Sequence, residues 1–142
     1  MSYADNWSSA GEVALQLSFH YWRNLGRERK TRCIALTGSY HGETLGALSV
    51  TDVPLFRDAY APLLRAATTL PSPDSRQAAP GEDARTYAGR CADALERHLA
   101  EHHASVAALV VEPLVQCAGG MAMHDPEHLR RARQICHRVE GP

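Results

Sequence analysis

The run Val106 to Met123, Val-Ala-Ala-Leu-Val-Val-Glu-Pro-Leu-Val-Gln-Cys-Ala-Gly-Gly-Met-Ala-Met, constrains the fold more than any other stretch. Val106 to Val111 are six uncharged residues, and a half-exposed strand would alternate polar and apolar. They therefore predict a strand buried on both faces, of the kind found in parallel sheets. Pro113 has no N–H to donate and ends the ladder. Glu112 is left at the carboxyl end of the strand, ahead of the turn Ala118-Gly119-Gly120. Ligands of open α/β sheets sit outside that end. The sequence leaves two readings of Glu112, an acid placed for chemistry or a strand-end acid facing solvent.

The remaining elements alternate. Ser9-Ala10-Gly11-Glu12 matches a capping box and predicts a helix beginning near Ser8 or Ser9. Val13, Leu17, Tyr21 and Leu25, with Ala10 and Ala14, give it an apolar stripe, and Gly26 suits the position after its end. Arg32 to Leu36 reads as a short strand ending in the turn Thr37 to Gly42, and Glu43 to Val50 as a short helix. Asp52 to Leu64 surrounds another short helix, Thr68 to Leu70 is a brief strand, and Pro71 to Asp83 is an exposed loop. A long helix covers Ala84 to His103. Asp125-Pro126 opens the last helix, with Leu129, Ala132, Ile135 and Cys136 on its inner face. Helices alternating with strands imply an α/β fold around a parallel sheet. Because Val139 to Pro142 follow a helix where the next strand of such a unit would begin, residues 1–142 read as a piece of one larger domain.

Several function classes drop out. The net charge is −1 with both signs interspersed, so no nucleic-acid or membrane-surface partner is indicated. No apolar run reaches bilayer-spanning length, and Met1 to Asp5 has no signal-peptide pattern. Cys33, Cys91, Cys117 and Cys136 are widely spaced, and most of them suit buried free thiols in a reduced, cytoplasmic setting. His98-Leu99-Ala100-Glu101-His102 has the spacing of an inverted zinc-peptidase motif. It lies on a charged helix face with no third ligand, so no metal is expected. Ser39 and His41 lack a nucleophile elbow, and neither dinucleotide nor Walker patterns occur.

Three groups remain as site candidates. Asp5 to Ala10 offers hydroxyls and free N–H groups at a helix start, which suits either a phosphate or ordinary capping. Tyr40-His41-Gly42 follows a strand and puts an aromatic ring at the same sheet edge as Glu112, either to stack on a flat ligand or simply to pack. Of fifteen basic residues only Lys30 is a lysine. It lies in the polar run Arg27 to Thr31, which reads as a solvated connection and is a poor place for a Schiff-base amine.

Together these segments resemble the class III pyridoxal-phosphate aminotransferases. The resemblance lies in Asp5-Asn6-Trp7-Ser8-Ser9-Ala10-Gly11-Glu12-Val13-Ala14, Phe19-His20-Tyr21-Trp22, Ser39-Tyr40-His41-Gly42-Glu43-Thr44-Leu45-Gly46-Ala47 and Val111-Glu112-Pro113-Leu114-Val115-Gln116-Cys117-Ala118-Gly119-Gly120-Met121. It runs in order along essentially the whole chain and is nearest to the branch serving biotin synthesis. It implies part of the large domain of a fold-type I transferase, truncated at both ends, a homodimer, and pyridoxal 5'-phosphate as cofactor. The implied reaction moves the amino group of S-adenosylmethionine onto 8-amino-7-oxononanoate to give 7,8-diaminononanoate. Another class III transaminase, of ω-amino acid or ornithine type, and a non-catalytic remnant are the alternatives.

By the same resemblance Trp7 and Ser8 match the Gly-Ser that holds the cofactor phosphate. Tyr40 matches the aromatic residue that covers the cofactor ring and meets substrate, and Glu112 the strand-end acid near the cofactor. Trp7 stands where the family has Gly, Gly11 where an apolar residue is usual, and Ala122 and His124 where Arg and Tyr are expected. The Asp that pairs with the pyridine nitrogen and the Schiff-base lysine match no residue here, so the chain alone is expected to be inactive.

Overall fold

A computed structural model of the chain describes residues 4–140; the readings of Met1 to Tyr3 and of Gly141-Pro142 lie outside the described residues. The first helix, α1 (Trp7–Asn24), leads through a connection to strand β1 (Arg32–Leu36). Two short helices follow, α2 (Leu45–Ser49) and α3 (Pro54–Arg57), then a 3-10 turn and strand β2 (Thr68–Leu70). The long helix α4 (Ala84–His102) crosses to strand β3 (Val106–Leu109). A hairpin, β4 (Val115–Gln116) with β5 (Ala122–Met123), precedes α5 (Glu127–Glu140). The three main strands form a parallel sheet in the order β2-β1-β3.

The core is built on two faces of that sheet. Ile34 of β1 packs with Ala92, Leu95 and Leu99 of α4, Val106 of β3, and Ala132 and Ile135 of α5. The neighbouring β1 residue Cys33 points the other way, into a cavity walled by Leu15 and Phe19 of α1, as strand alternation requires. Leu129, Ala132, Ile135 and Cys136 thus form the inner face of α5 as the sequence predicts, with Ala132 and Ile135 buried and the other two half-buried.

Four local readings need correction. The apolar stripe of α1 faces outward, with Leu17 56%, Tyr21 58% and Leu25 54% exposed. The helix carries a second apolar set, Leu15, Phe19 and Trp22, at the same helical periodicity. The sheet takes that set because Trp22 is buried and donates its Nε1–H to the Ala107 carbonyl at 2.7 Å. Next, the cap of α1 is Asn6, whose side chain accepts the Ser9 N–H at 2.8 Å. Glu12 closes no capping box, since its carboxylate instead accepts the Gly46 N–H at 2.8 Å. Gly26 does sit at φ 71°, just beyond the Leu25 cap.

The third correction concerns β3. Only Val106 is buried, and Ala107 to Val111 are half-buried. β3 is an edge of the three-stranded sheet, and an apolar cleft of about 350 Å³ between Trp22, Leu129 and Cys136 opens beside it. Lys30 is the fourth. It is 3% exposed rather than solvated. Its Nζ donates to the carbonyls of His103 at 2.7 Å and Val106 at 3.0 Å, and lies 4.3 Å from the centre of the Trp22 ring. A buried ammonium persists only with such acceptors. No helix among the described residues is long and apolar enough to cross a membrane.

Candidate active site

The site is assembled at the carboxyl ends of β1 and β3. After β1, the turn Thr37 to Glu43 folds back against the start of α1. Gly42 sits at φ 116°, and a Cβ there would lie 2.5 Å from the Ser8 Oγ, so only glycine allows the turn this close. Gly11 serves the same approach from the helix side, where a Cβ would meet the His41 carbonyl oxygen at 3.1 Å. Its departure from an apolar residue thus has a packing reason. Asp52 steadies the turn from the other flank, accepting the Gly38 N–H at 3.0 Å and donating its own N–H to the Ser39 carbonyl at 2.7 Å.

Three of the four sequence candidates meet here. Ser8 Oγ accepts the Glu43 N–H at 2.9 Å. The Glu43 carboxylate accepts the Tyr40 phenol at 2.9 Å, and Tyr40 donates its backbone N–H to Glu112 at 2.8 Å. Ser8, Tyr40 and Glu112 therefore share one surface, joined by three hydrogen bonds. Trp7 is next to them in the chain, but its side chain is 77% exposed. It borders a cleft of about 400 Å³ with Ala10, Gly11, His41 and the end of β3.

The sequence reading passed over the part played by Glu43, which ties the helix start to the aromatic ring. An acid after Tyr-His-Gly was the available signal. Its hydrogen bond is the main cause that raises the Tyr40 phenol above the ordinary tyrosine range, because a phenolate would lose that donor and face the acid's charge.

Glu112 does not point freely into solvent. Its second oxygen accepts the Cys117 N–H at 3.2 Å, so one carboxylate fastens the β1 turn and the turn after β3 together. Leu114, at φ 67°, reverses the chain between them. The Gly-rich turn then comes to rest on Gly38, where a Cβ on Gly119 would fall 2.7 Å from the Gly38 carbonyl oxygen. Arg76 holds it there, donating to the Gly120 carbonyl at 2.9 Å while gripping Asp74 with Nε and Nη2. That grip lowers the Asp74 carboxyl below its usual range.

The loop expected to be exposed is interior at Ser72, Pro73 and Asp74, because it runs beneath the hairpin and joins a buried polar set there. Ser72 Oγ donates to the Gln116 side-chain carbonyl, and Gln116 Nε2 donates to the Thr37 carbonyl at 3.1 Å. His124 Nε2 approaches the same Gln116 oxygen at 3.2 Å. His124 is thereby absorbed into the interior, and Ala122 is buried beside it.

Other candidates fall away from this surface. Lys30 precedes β1, at the amino end of the sheet, and its Nζ is held at the amino end of β3. The Ser39 hydroxyl is fully buried and donates to the Val50 carbonyl at 2.9 Å, so it is no nucleophile. His98 and His102 stack at 4.7 Å on α4, and no group of three or more metal-holding side chains occurs among the described residues. Cys91 is buried, Cys33 and Cys136 half-buried, and Cys117 exposed.

The geometry suits a flat anionic cofactor. The start of α1 presents backbone N–H groups and the positive end of a helix of eighteen residues to an anion. Because Ser8 Oγ accepts from Glu43, its own proton is left to donate outward. Tyr40 is half-buried and packs its ring against Phe56, 5.1 Å away between centroids.

Comparison with known proteins agrees. The model of the class III aminotransferase family matches residues 2–140. The adenosylmethionine-8-amino-7-oxononanoate aminotransferase of Geobacter sulfurreducens is 41% identical over 137 residues, covering 96% of this chain and 30% of that protein. Its counterpart from Helicobacter pylori is 41% identical over 136 residues, covering 94% and 29%. Among solved structures, an omega transaminase from Pseudomonas jessenii in complex with PMP superposes with TM-score 0.86 at 25% identity, covering 96% of this chain and 30% of that one. A PLP-bound amine transaminase from an uncultivated Pseudomonas species gives 0.86 at 28% identity, covering 96% and 31%. The chain thus spans about 30% of the length of the relatives it matches. With nearly every residue matched by one family model, and the parallel sheet and strand-end residues in place, this chain belongs to the class III, pyridoxal-phosphate-dependent aminotransferases.

Proposed function

We propose that residues 1–142 are part of the large domain of an aminotransferase that moves the amino group of S-adenosylmethionine onto 8-amino-7-oxononanoate, forming 7,8-diaminononanoate. The hydrogen-bonded series Ser8–Glu43–Tyr40–Glu112 at one sheet edge carries the reading. The names of the relatives at 41% identity supply the substrates.

Pyridoxal phosphate, when bound, supplies the electron sink for remaking the carbon–nitrogen bond. This chain's residues do the holding. The Ser8 hydroxyl and the first N–H groups of α1, including that of Trp7, take the phosphate. Tyr40 covers the ring and faces substrate. Glu112 acts through the backbone, fixing Tyr40 and the turn at Cys117 in register. Lys30, the only lysine, is committed to carbonyls at the other end of the sheet, so the reactive amine comes from outside these 142 residues. The working enzyme is a cytoplasmic homodimer.

Titrating the chain with pyridoxal phosphate, followed by quenching of the exposed Trp7, tests this. Wild type binds, Ser8→Ala and Tyr40→Ala weaken binding, and no turnover occurs with S-adenosylmethionine. Equal binding by all three proteins, or turnover by the chain alone, defeats the proposal. A second reading follows from the neighbours named omega and amine transaminases. A donor screen on a longer version that includes the lysine separates it, since preference for an ω-amine over S-adenosylmethionine would favour it.

A further inference from the structure

Tyr40 carries two hydrogen bonds, yet neither fixes the plane of its ring. The backbone N–H to Glu112 sets where the residue sits, and the phenol to Glu43 sets only where the oxygen points. The ring's tilt is set by a contact from another element. Phe56 of α3 meets it with centroids 5.1 Å apart and planes 57° from parallel, within the range aromatic pairs favour.

Nothing in α3 itself would hold Phe56 there. The helix has four residues, begins on Pro54 and has no side-chain cap, so it is too short to persist alone. Its orientation comes from Asp52, which pairs with the Arg57 Nη1 at 3.2 Å through one oxygen and accepts the Gly38 N–H at 3.0 Å through the other. One carboxylate thus anchors both the element bearing Phe56 and the turn bearing Tyr40. Adjacent Leu55 is 84% exposed while Phe56 is half-buried, so the helix turns one side chain of the pair toward the site.

We infer that Phe56 is a positioning residue, holding the Tyr40 ring at a single tilt so that the ring offers one defined face to a flat ligand. The inference rests on the function proposed above. It adds α3 to the site, an element that touches neither Ser8 nor Glu112 through any hydrogen bond described here.

Two measurements test it. In the cofactor-free chain, the Tyr40 phenol titration is isolated by subtracting the ultraviolet titration of Tyr40→Phe. Wild type titrates above the ordinary tyrosine range, and Glu43→Gln returns it to that range. Phe56→Ala and Phe56→Leu leave that titration in place, because the phenol oxygen lies on the axis about which the ring tilts, and they instead collapse the near-ultraviolet circular dichroism of Tyr40, taken as the difference between each protein and its Tyr40→Phe counterpart. A Tyr40 dichroism unchanged in both Phe56 variants overturns the inference. Second, Phe56→Ala weakens pyridoxal phosphate binding by about three- to tenfold, and Leu55→Ala leaves it unaltered. Equal affinity of wild type and Phe56→Ala also overturns it. Should wild type fail to bind the cofactor, the proposed function falls, and the Tyr40 dichroism still decides the role of Phe56.

Discussion

Glu112 accepts the backbone N–H of Tyr40 at 2.8 Å, across 72 positions of sequence. A strand-end carboxylate of this kind appears free for chemistry when read along the chain. In the fold both its oxygens are engaged by backbone donors, Tyr40 on one and Cys117 on the other.

Removing that acid should therefore cost stability before anything else. Glu112→Ala leaves the partly buried Tyr40 N–H and the exposed Cys117 N–H without their acceptor, and hydrogen bonds to charged groups are worth about 1.5–3 kcal/mol. Urea unfolding should show a loss of about 2 kcal/mol. Glu112→Gln keeps one carbonyl acceptor and should lose less. Equal midpoints for wild type and Glu112→Ala would refute the stapling role.

Gly42→Ala should be among the most damaging small substitutions. It places a Cβ within 2.5 Å of Ser8 Oγ and 2.7 Å of Ser8 Cα, at φ 116°. We expect a loss of about 2–3 kcal/mol by thermal or urea unfolding. Gly11→Ala gains helix propensity against a 3.1 Å contact with the His41 carbonyl and should stay within about 1 kcal/mol of wild type.

Acid should destabilise the chain through two buried imidazoles. Burial holds His41 down to about 4. Burial, and then His124, hold His128 down to about 4. Both titrate near 6.5 when unfolded. Between those values the unfolded chain binds more protons at these two groups, so the stability they contribute is full above about pH 6.5, falls as pH drops toward 4 and levels off below. Each imidazole accounts for about 3 kcal/mol over that window. Urea midpoints across the range should give a slope that His128→Leu reduces, and an unchanged slope in that variant would count against the account.

Lys30 should resist pyridoxal phosphate in the native chain. Borohydride treatment followed by peptide mapping should leave it unlabelled until denaturant is added. Lys30→Met orphans the carbonyls of His103 and Val106 and should cost about 1–3 kcal/mol in urea. Native labelling would mean that the amine is reachable.

The element order was legible from residue patterns, and so was the meeting of Tyr40 and Glu112 at the carboxyl edge. Strand ends and helix periods depend on short-range backbone geometry, which a local pattern records. The hairpin Val115 to Met123 was not legible, because two-residue strands carry too little pattern and Leu114 adopts φ 67° without glycine.

By itself the sequence determined a parallel α/β arrangement, a family, and a chain with one lysine. The fold alone decided which of the two apolar faces of α1 is covered, why Glu12 serves Gly46 rather than its own helix end, and that Lys30 is buried. Those outcomes turn on pairings between residues 34 to 85 positions apart. A charged group's worth is set by the donors, acceptors and water that closure of the chain leaves around it, and local pattern carries no record of them.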